Sequence, residues 1–296
     1  MLKYKFKTGC IIQGNIRTKH INLIVKEKVK YFDLVVISTW KDEKIKINDK
    51  KCIVIYNEKP ETPGLSNRNL QRLSVANALR YLKERGVEYV LKWRTDMLST
   101  NFNLNELLEL ANYNLNSKIK SRIVMPSFRT LSVFPDYLSS FPDHFSFGHI
   151  DEMEILWGDN DFNYKNDYNF IGEENPKLID KYNAHSELYY LYKTRIQKKT
   201  NENLTHSEIV ISRLNLIDLK SLKICWFKNN KEFRSIEQSF EYPWWTERGF
   251  KKNKFKLYPI ESKRNLILRI YYIFKNFILI KINISKQRYW FKNFKY

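Results

Sequence analysis

The amino-acid sequence predicts an α/β fold in which helices cover both faces of a mostly parallel sheet. Short, continuous apolar runs alternate with helical stretches along the first half of the chain, which is typical of parallel strands buried on both faces. Of the 296 residues, 43% are hydrophobic and only 8 are Gly and 8 are Pro, so the chain can bury a sizeable core. Right-handed crossovers between such strands build a doubly wound sheet. The predicted strands are 10–13, 34–40, 52–56, 89–94 and 122–125.

The helix predicted over 67–85 has the clearest pattern, with apolar residues spaced three and four apart. A Pro63-Gly64 turn precedes it, Ser66 or Asn67 is available as the N-cap, and Gly86 ends it. The other predicted elements are helices over 104–111 and 151–157, an antiparallel strand over 145–148, a loop over 158–183, a helix from Ser186, and a helix from Thr205 with Glu208 as its capping-box partner.

Several classes of protein are disfavoured by what the sequence lacks. Three cysteines, Cys10, Cys52 and Cys225, are too few and too scattered for a disulfide framework or a zinc site. Neither of the two glycine-rich phosphate-binding patterns, GxGxxG and GxxxxGK[ST], occurs in the sequence. Their absence disfavours dinucleotide dehydrogenases and P-loop enzymes. No uncharged apolar run approaches the roughly 18–20 residues of a membrane-spanning helix. The basic N-terminus has no apolar segment behind it, so we expect a protein of the reducing cytoplasm.

The formal net charge is +20, and it is unevenly distributed. Residues 250–296 contain 13 Lys and Arg against one acid, Glu261, with aromatic residues interleaved. We therefore expect a globular domain over 1–249 and a basic, amphipathic C-terminal extension over 250–296. Such an extension suits an anionic membrane surface. The alternatives are a solvated helix docked on its own domain and a segment that binds nucleic acid.

Polar residues follow the predicted strands, where ligands bind in open α/β sheets. Asp96, which comes directly after an apolar strand, is a candidate ligand for a divalent metal that bridges a diphosphate. A structural ion pair between Arg94 and Asp96, or a helix cap, explains the same pattern. The strand ends are Gln13-Gly14, Thr39-Trp40, Tyr56-Asn57 and Arg94-Thr95-Asp96.

Two further segments are candidate sites. Asn67 and Arg68 begin the predicted helix, where backbone amides and a guanidinium attract phosphate, although an exposed basic helix face accounts for them equally well. Asp143 precedes an aromatic strand and is a candidate base or sugar-orienting residue, the alternative being a turn Asp that caps a loop. Asp151 follows the same aromatic segment and is a further candidate. Glu187 is a weaker one, because a Glu in a first helical turn is common simply as a complement to the helix dipole.

The order of these motifs resembles the WavE lipopolysaccharide synthesis family, whose members act in bacterial surface-polysaccharide assembly. The resemblance covers roughly residues 9–195. It rests on Ile12-Gln13-Gly14, Val36-Ile37-Ser38-Thr39-Trp40, Asn67-Arg68-Asn69-Leu70-Gln71, Leu91-Lys92-Trp93-Arg94-Thr95-Asp96-Met97, Asp143-His144-Phe145-Ser146-Phe147-Gly148 and His185-Ser186-Glu187-Leu188-Tyr189.

The resemblance implies a GT-A-like, Rossmann-like glycosyltransferase that moves a sugar from a nucleotide-diphosphate donor to a lipopolysaccharide, capsular or lipid-linked glycan. Asp96 then takes the place of the metal-binding acid of a DxD motif, with Mn²⁺ or Mg²⁺ as the cofactor. The first acid of that motif is replaced by Arg94. Arg94 itself neutralises the diphosphate if the enzyme is metal-independent.

The same resemblance suggests roles for the other residues. Gln13, Gly14 and Thr39 line the nucleoside pocket, and Asn67 and Arg68 meet the diphosphate. The basic extension holds the enzyme peripherally at the inner membrane, where an amphiphilic acceptor is reached from the cytoplasm.

Asp143 is the first choice for the base or acceptor-orienting residue, followed by Asp151 and Glu187. Two other functions remain open. The first is a nucleic-acid-binding protein that uses the basic aromatic extension. The second is a non-catalytic scaffold that keeps the fold.

Overall fold

The computed structural model describes most of the first 217 residues and a few beyond them. The described residues are 6–16, 20–47, 49–61, 63–64, 67–99, 101–115, 117–126, 141–158, 184–217, 222, 224–226 and 234–235. The expected extension over 250–296 and nearly all of the expected loop over 158–183 lie outside them. In the described part of the chain, no helix combines the length and the apolarity needed to cross a membrane.

The described residues form ten strands and six helices. The strands are β1 (Thr8–Gln13), β2 (Leu34–Trp40), β3 (Cys52–Asn57), β4 (Tyr89–Arg94), β5 (Met97–Ser99), β6 (Ile123–Pro126), β7 (Ser146–His149), β8 (Leu214–Ile217), β9 (Ile224–Trp226) and β10 (Arg234–Ser235). The helices are α1 (Ile21–Lys28), α2 (Arg68–Glu84), α3 (Leu104–Asn112), α4 (Ile150–Trp157), α5 (Ala184–Thr200) and α6 (His206–Arg213).

Seven strands form one mixed sheet in the order β3-β2-β1-β4-β7-β6-β8. Strands β1 to β4 are mutually parallel, and β6 is parallel to β8, whereas β7 is antiparallel to both of its neighbours. The mostly parallel α/β fold predicted from the sequence is thus confirmed, together with the antiparallel strand near residue 147. Because β1, β2, β3 and β4 all point the same way, their carboxyl ends meet at one edge of the sheet, which we call the carboxyl edge.

Helices cover both faces of this sheet, which explains the continuous apolar strands. One core cluster contains Ile24 of α1, Leu107 of α3 and Ile12 of β1. The other contains Leu79 of α2, Tyr192 of α5 and Ile11 of β1. Side chains of β1 alternate between the two clusters, as the period of a strand requires.

Helix α2 ends as its sequence predicts. Gly86 has a φ of +69°. Its N–H donates to the carbonyl of Lys83, and the N–H of Val87 donates to that of Leu82. These two bonds form a Schellman motif, which glycine favours because it has no Cβ to clash in the left-handed conformation. The capping box of Thr205 and Glu208 is also confirmed at the start of α6.

The remaining three strands of the described residues form a second sheet, separate from the main one. β9 pairs antiparallel with β5 in a separate three-stranded sheet, in the order β10-β9-β5. β5 follows β4 after a turn at residues 95–96 and thereby offers β9 a new edge.

Candidate functional site

The carboxyl edge brings polar residues from separate strands side by side. Gln13 of β1 lies opposite Ser38 of β2 and Arg94 of β4 in the strand register. Side chains at laterally paired positions point to the same face of a sheet. The Ser38 hydroxyl donates to the carbonyl of Ser74 at 2.7 Å, so this face is the one that α2 covers.

Arg94, at the end of β4, is held between two carboxylates. Its Nε and Nη2 donate to Oδ1 and Oδ2 of Asp96 at 2.9 and 3.0 Å, and its Nη1 donates to Oδ2 of Asp143 at 2.8 Å. Gln71 of α2 donates from Nε2 to the same Asp143 oxygen at 2.9 Å. We call Arg94, Asp96, Asp143 and Gln71 the arginine network. Burial alone lowers the pKa of Arg94, but the charges of Asp143 and Asp96 more than offset this and raise that pKa above its ordinary value.

Lys92 lies beneath the arginine network. It is the second residue before Arg94 on β4, so both side chains face α2, and its ammonium group donates to the backbone carbonyl of Asp143. The side chain is completely buried, with Nζ 4.9 Å from the centre of the Trp157 ring. Burial lowers the pKa of Lys92 to about 8, with Asp143 opposing and Arg94 adding to the shift.

A tight turn leads into α2. Gly64 has a φ of +69°, and a Cβ there would lie 2.7 Å from Cγ of Arg68. Asn67, the N-cap, is left-handed with a φ of 60° and makes no side-chain capping bond. The absence of a Cβ at Gly64 therefore lets the chain approach the first residue of the helix closely.

The first turn of α2 carries two buried arginines that share one acid. Nε of Arg68 lies 3.1 Å from Oε2 of Glu187, and Nη1 of Arg72 lies 3.3 Å from Oε1 of the same carboxylate. No more than 4% of any of these three side chains is exposed. Arg72 also donates from Nη2 to Oδ1 of Asn69. We call Arg68, Arg72 and Glu187 the arginine pair with its acid; it lies next to a helix N-terminus, which carries a partial positive charge.

The loop after β1 closes over the end of β4. Gly14 has a φ of +121°, and its N–H donates to the carbonyl of Ser38 at 3.2 Å. The Thr95 hydroxyl donates to the carbonyl of Asn15 at 2.7 Å, and Asn15 accepts from the Trp40 ring nitrogen at 2.6 Å. Gly14 therefore lies beside Thr95, the residue between Arg94 and Asp96.

Thr39 points away from these groups. It follows Ser38 on β2, so its side chain lies on the opposite face of the sheet, where it is completely buried. No described residue hydrogen-bonds to its Oγ1 atom. The structure thus places Gln13 and Gly14 close to the arginine network and puts Thr39 on the other side.

Asp151 lies at the opposite edge of the sheet from Asp143. β7 runs antiparallel, so the helix that follows it begins beside the amino end of β4, where His149 pairs with Tyr89. Asp151 bonds to Lys120 and Lys83 at 2.7 and 3.1 Å. Burial opposes ionisation, but the two lysines outweigh it and lower the pKa of Asp151 to about 2. The structure therefore does not bring Asp151 to the site that holds Asp96 and Asp143.

The donor set at Asp96 does not fit a divalent metal. Both oxygens of Asp96 accept from Arg94, and Asp143 binds the same guanidinium. A hard divalent cation needs about six oxygen ligands, and a guanidinium between the carboxylates repels it. Among the described residues there is also no group of three His, Cys, Asp or Glu side chains suited to a metal ion.

Two members of the site had no assigned role in the sequence. Gln71 and Lys92 both lie within the motifs compared above, and each holds Asp143 in place. A lysine in the middle of an apolar strand, at the spacing that faces a covering helix, is the signal that points to Lys92. Gln71 carries no such signal, since a glutamine in a helix is ordinary.

The chain matches no protein-family model, and no curated protein matches it.

Proposed function

We propose that the protein is a glycosyltransferase that moves a sugar from a nucleotide-diphosphate donor to a lipopolysaccharide, capsular or lipid-linked glycan. The observation that carries this proposal is the meeting of two charged groups at the carboxyl edge. The arginine network lies at the end of β4, and the arginine pair with its acid lies at the start of α2. The carboxyl edge is where open α/β sheets bind their ligands.

The start of α2 supplies a site for the diphosphate. Arg68 and Arg72 both contact the carboxylate of Glu187 and place two guanidinium groups at the first turn of the helix. The helix N-terminus adds its own partial positive charge. Charge grows on the diphosphate as the sugar leaves it, and fixed cations there stabilise the transition state.

The arginine network supplies a site for hydroxyl groups. Asp143 is held by Arg94, Gln71 and Lys92, which fix its carboxylate and its backbone. We assign Asp143 as the base or acceptor-orienting residue. In that role it accepts the proton of the acceptor hydroxyl while the hydroxyl oxygen bonds to the anomeric carbon and the bond to the diphosphate breaks. Asp96 orients the donor sugar through the same network.

The two charged groups are neighbours because α2 contributes to both. Gln71 belongs to the arginine network, whereas Arg68 and Arg72 belong to the pair with its acid. A donor whose diphosphate lies at the start of α2 thus has its sugar within reach of Asp143. This supports a GT-A-like arrangement within the observed α/β fold.

The basic extension over 250–296 is proposed to hold the protein at an anionic membrane surface.

The test uses the full-length chain and a panel of sugar nucleotides. Binding is measured by calorimetry, and donor hydrolysis is measured without acceptor. We expect at least one donor to bind, and we expect Asp143→Asn to lower its turnover by about 10²–10⁴-fold, the usual contribution of a positioned base.

Asp151→Asn is the matched control, since it removes the same charge at the opposite edge of the sheet. We expect it to leave donor binding and hydrolysis within about twofold of wild type. Failure of every donor to bind would overturn the proposal, and so would equal loss of turnover in the two variants.

A further inference from the structure

We infer that Arg94 is the resident cation of this site and takes the place that a divalent metal would otherwise occupy between Asp96 and Asp143. The proposed function supplies only the identity of the ligand. The inference about Arg94 rests on the side chains themselves and predicts that donor binding needs no metal.

The geometry of the guanidinium carries the argument. Three of its nitrogens bind the two aspartates, with distances from 2.8 to 3.0 Å. Its side chain is 24% exposed, whereas those of Asp96 and Asp143 are at most 8% exposed. Both carboxylates therefore bind the same guanidinium, and a guanidinium cannot give up its proton to make room for another cation.

The local charge balance leads to the same conclusion. Lys92 and Arg94 are two cations, and Asp96 and Asp143 are two carboxylates. A divalent ion bound to these carboxylates would lie next to the Arg94 guanidinium and the Lys92 ammonium group, and the repulsion between these cations carries a high electrostatic cost. Removing Arg94 reverses the situation, because two neighbouring carboxylates then lack their shared partner.

This reversal gives a direct experiment with Mn²⁺ alone as the probe. Mn²⁺ is titrated by calorimetry and electron paramagnetic resonance into the full-length wild type, Arg94→Met, Asp96→Asn and the double variant Arg94→Met/Asp96→Asn. We expect wild type and Asp96→Asn to bind Mn²⁺ identically. Arg94→Met should gain at least about tenfold in Mn²⁺ affinity, which corresponds to about 1.4 kcal/mol, and the double variant should lose that gain.

Two results would overturn the inference. The first is Mn²⁺ binding to wild type that disappears in Asp96→Asn. The second is an Arg94→Met protein that folds and binds Mn²⁺ no better than wild type. If Arg94→Met fails to fold, the comparison of wild type with Asp96→Asn decides the question by itself.

Nucleotide binding is measured in parallel, with EDTA and with Mn²⁺. Equal affinity under the two conditions supports a metal-independent donor site, and an affinity that requires Mn²⁺ overturns it. Absence of nucleotide binding under both conditions overturns the proposed function instead. The Mn²⁺ titrations still decide the role of Arg94 in that case, so the two failures are distinguishable.

Discussion

Glu187 and Asp151, two candidate acids at opposite edges of the main sheet, form ion pairs that differ in burial. At the carboxyl edge, Arg68, Arg72 and Glu187 are almost completely buried. At the amino edge, Asp151 pairs with Lys83 and Lys120, whose side chains are 48% and 63% exposed. Buried ion pairs carry a desolvation cost that exposed pairs avoid, and they are weak sources of stability. The amino edge also holds a buried pair, Arg213 with Glu152, so burial alone does not distinguish the two edges. What distinguishes the carboxyl edge is that its buried charges lie at the strand ends, where open α/β sheets bind their ligands.

Helix α2 runs from one edge of the sheet to the other. Its two ends therefore allow the edges to be compared within a single helix. Its first turn carries Arg68 and Gln71, which belong to the buried charged groups. Its last turn carries Lys83, which makes exposed ion pairs. Substitutions at the two ends of this helix should therefore differ greatly in their effects.

The largest effect is expected at Glu187. Glu187→Ala leaves two buried guanidinium groups without their shared carboxylate, which should lower the free energy of unfolding by about 3–5 kcal/mol. Urea unfolding measures this change. Glu84→Ala, in the last turn of α2, removes a side chain that is 64% exposed, and we expect it to change stability by less than about 0.5 kcal/mol. Equal effects of the two substitutions would contradict the contrast between the edges.

The second-largest effect is the pH dependence of the stability contributed by Lys92. The pKa of Lys92 is about 8 in the folded chain against 10.5 in the unfolded chain, so the unfolded state binds the extra proton between these values. Stability contributed through Lys92 therefore rises with pH across this window, by on the order of 3 kcal/mol. We expect the stability of wild type to rise relative to Lys92→Met between pH 8 and 10.5, as measured by chemical unfolding.

Lys26→Met, which removes an exposed lysine of α1, serves as the control for that comparison. It should not reproduce the divergence seen with Lys92→Met. A difference between wild type and Lys92→Met that stays constant with pH would show that the folded chain does not lower the pKa of this lysine.

Two glycines with the same backbone conformation sharpen the comparison further. Gly64 and Gly86 both have a φ of +69°, but a Cβ at Gly64 would meet Arg68 at 2.7 Å, whereas a Cβ at Gly86 would meet nothing within 4 Å. Gly86→Ala should cost about 1 kcal/mol from left-handed strain alone, and Gly64→Ala about 2 kcal/mol because the buried arginine must also shift. Thermal unfolding of the two variants measures the difference. The opposite ranking would contradict the close approach at Gly64.

The smallest effect is expected at Asp151. Its pKa is lowered to about 2 from 3.8, so its ion pairs stabilise the fold above pH 4 and lose that contribution as the pH falls towards 2. Asp151→Asn should remove this part of the acid sensitivity and cost less than about 1 kcal/mol at pH 7. A double-mutant cycle with Lys83→Met measures the pair directly. A coupling energy above about 2 kcal/mol would place Asp151 in the same energetic class as Glu187.

The sequence predicts much of this fold because its local signals agree with its tertiary structure. The strands at 34–40 and 89–94 are continuous apolar runs, and the α2 boundaries follow from a turn before the helix and a glycine after it. Helix α1 and strand β5 are not predicted. Strand β5 is only three residues long, and its existence depends on pairing with β9, which is distant in sequence.

The site is predictable only in part, for a different reason. The choice of Asp96, Asp143 and Arg68 as candidate site residues follows from their positions at strand and helix ends. Their partners depend on long-range geometry, such as the contact between Gln71 and Asp143, which are 72 positions apart in the sequence. The separation of Asp143 from Asp151 depends on the direction of β7, which carries Asp151 to the opposite edge. Sequence spacing alone would place these two acids together.

The most direct test of the account is hydrogen exchange of the full-length chain with a panel of nucleoside diphosphates. The central claim is that the carboxyl edge receives the ligand. We expect a bound nucleotide to slow exchange in residues 13–15, 67–72, 94–96 and 141–145, and to leave residues 83–88 and 149–154 unchanged. Protection confined to the second group, or no protection with any nucleotide, would contradict the claim.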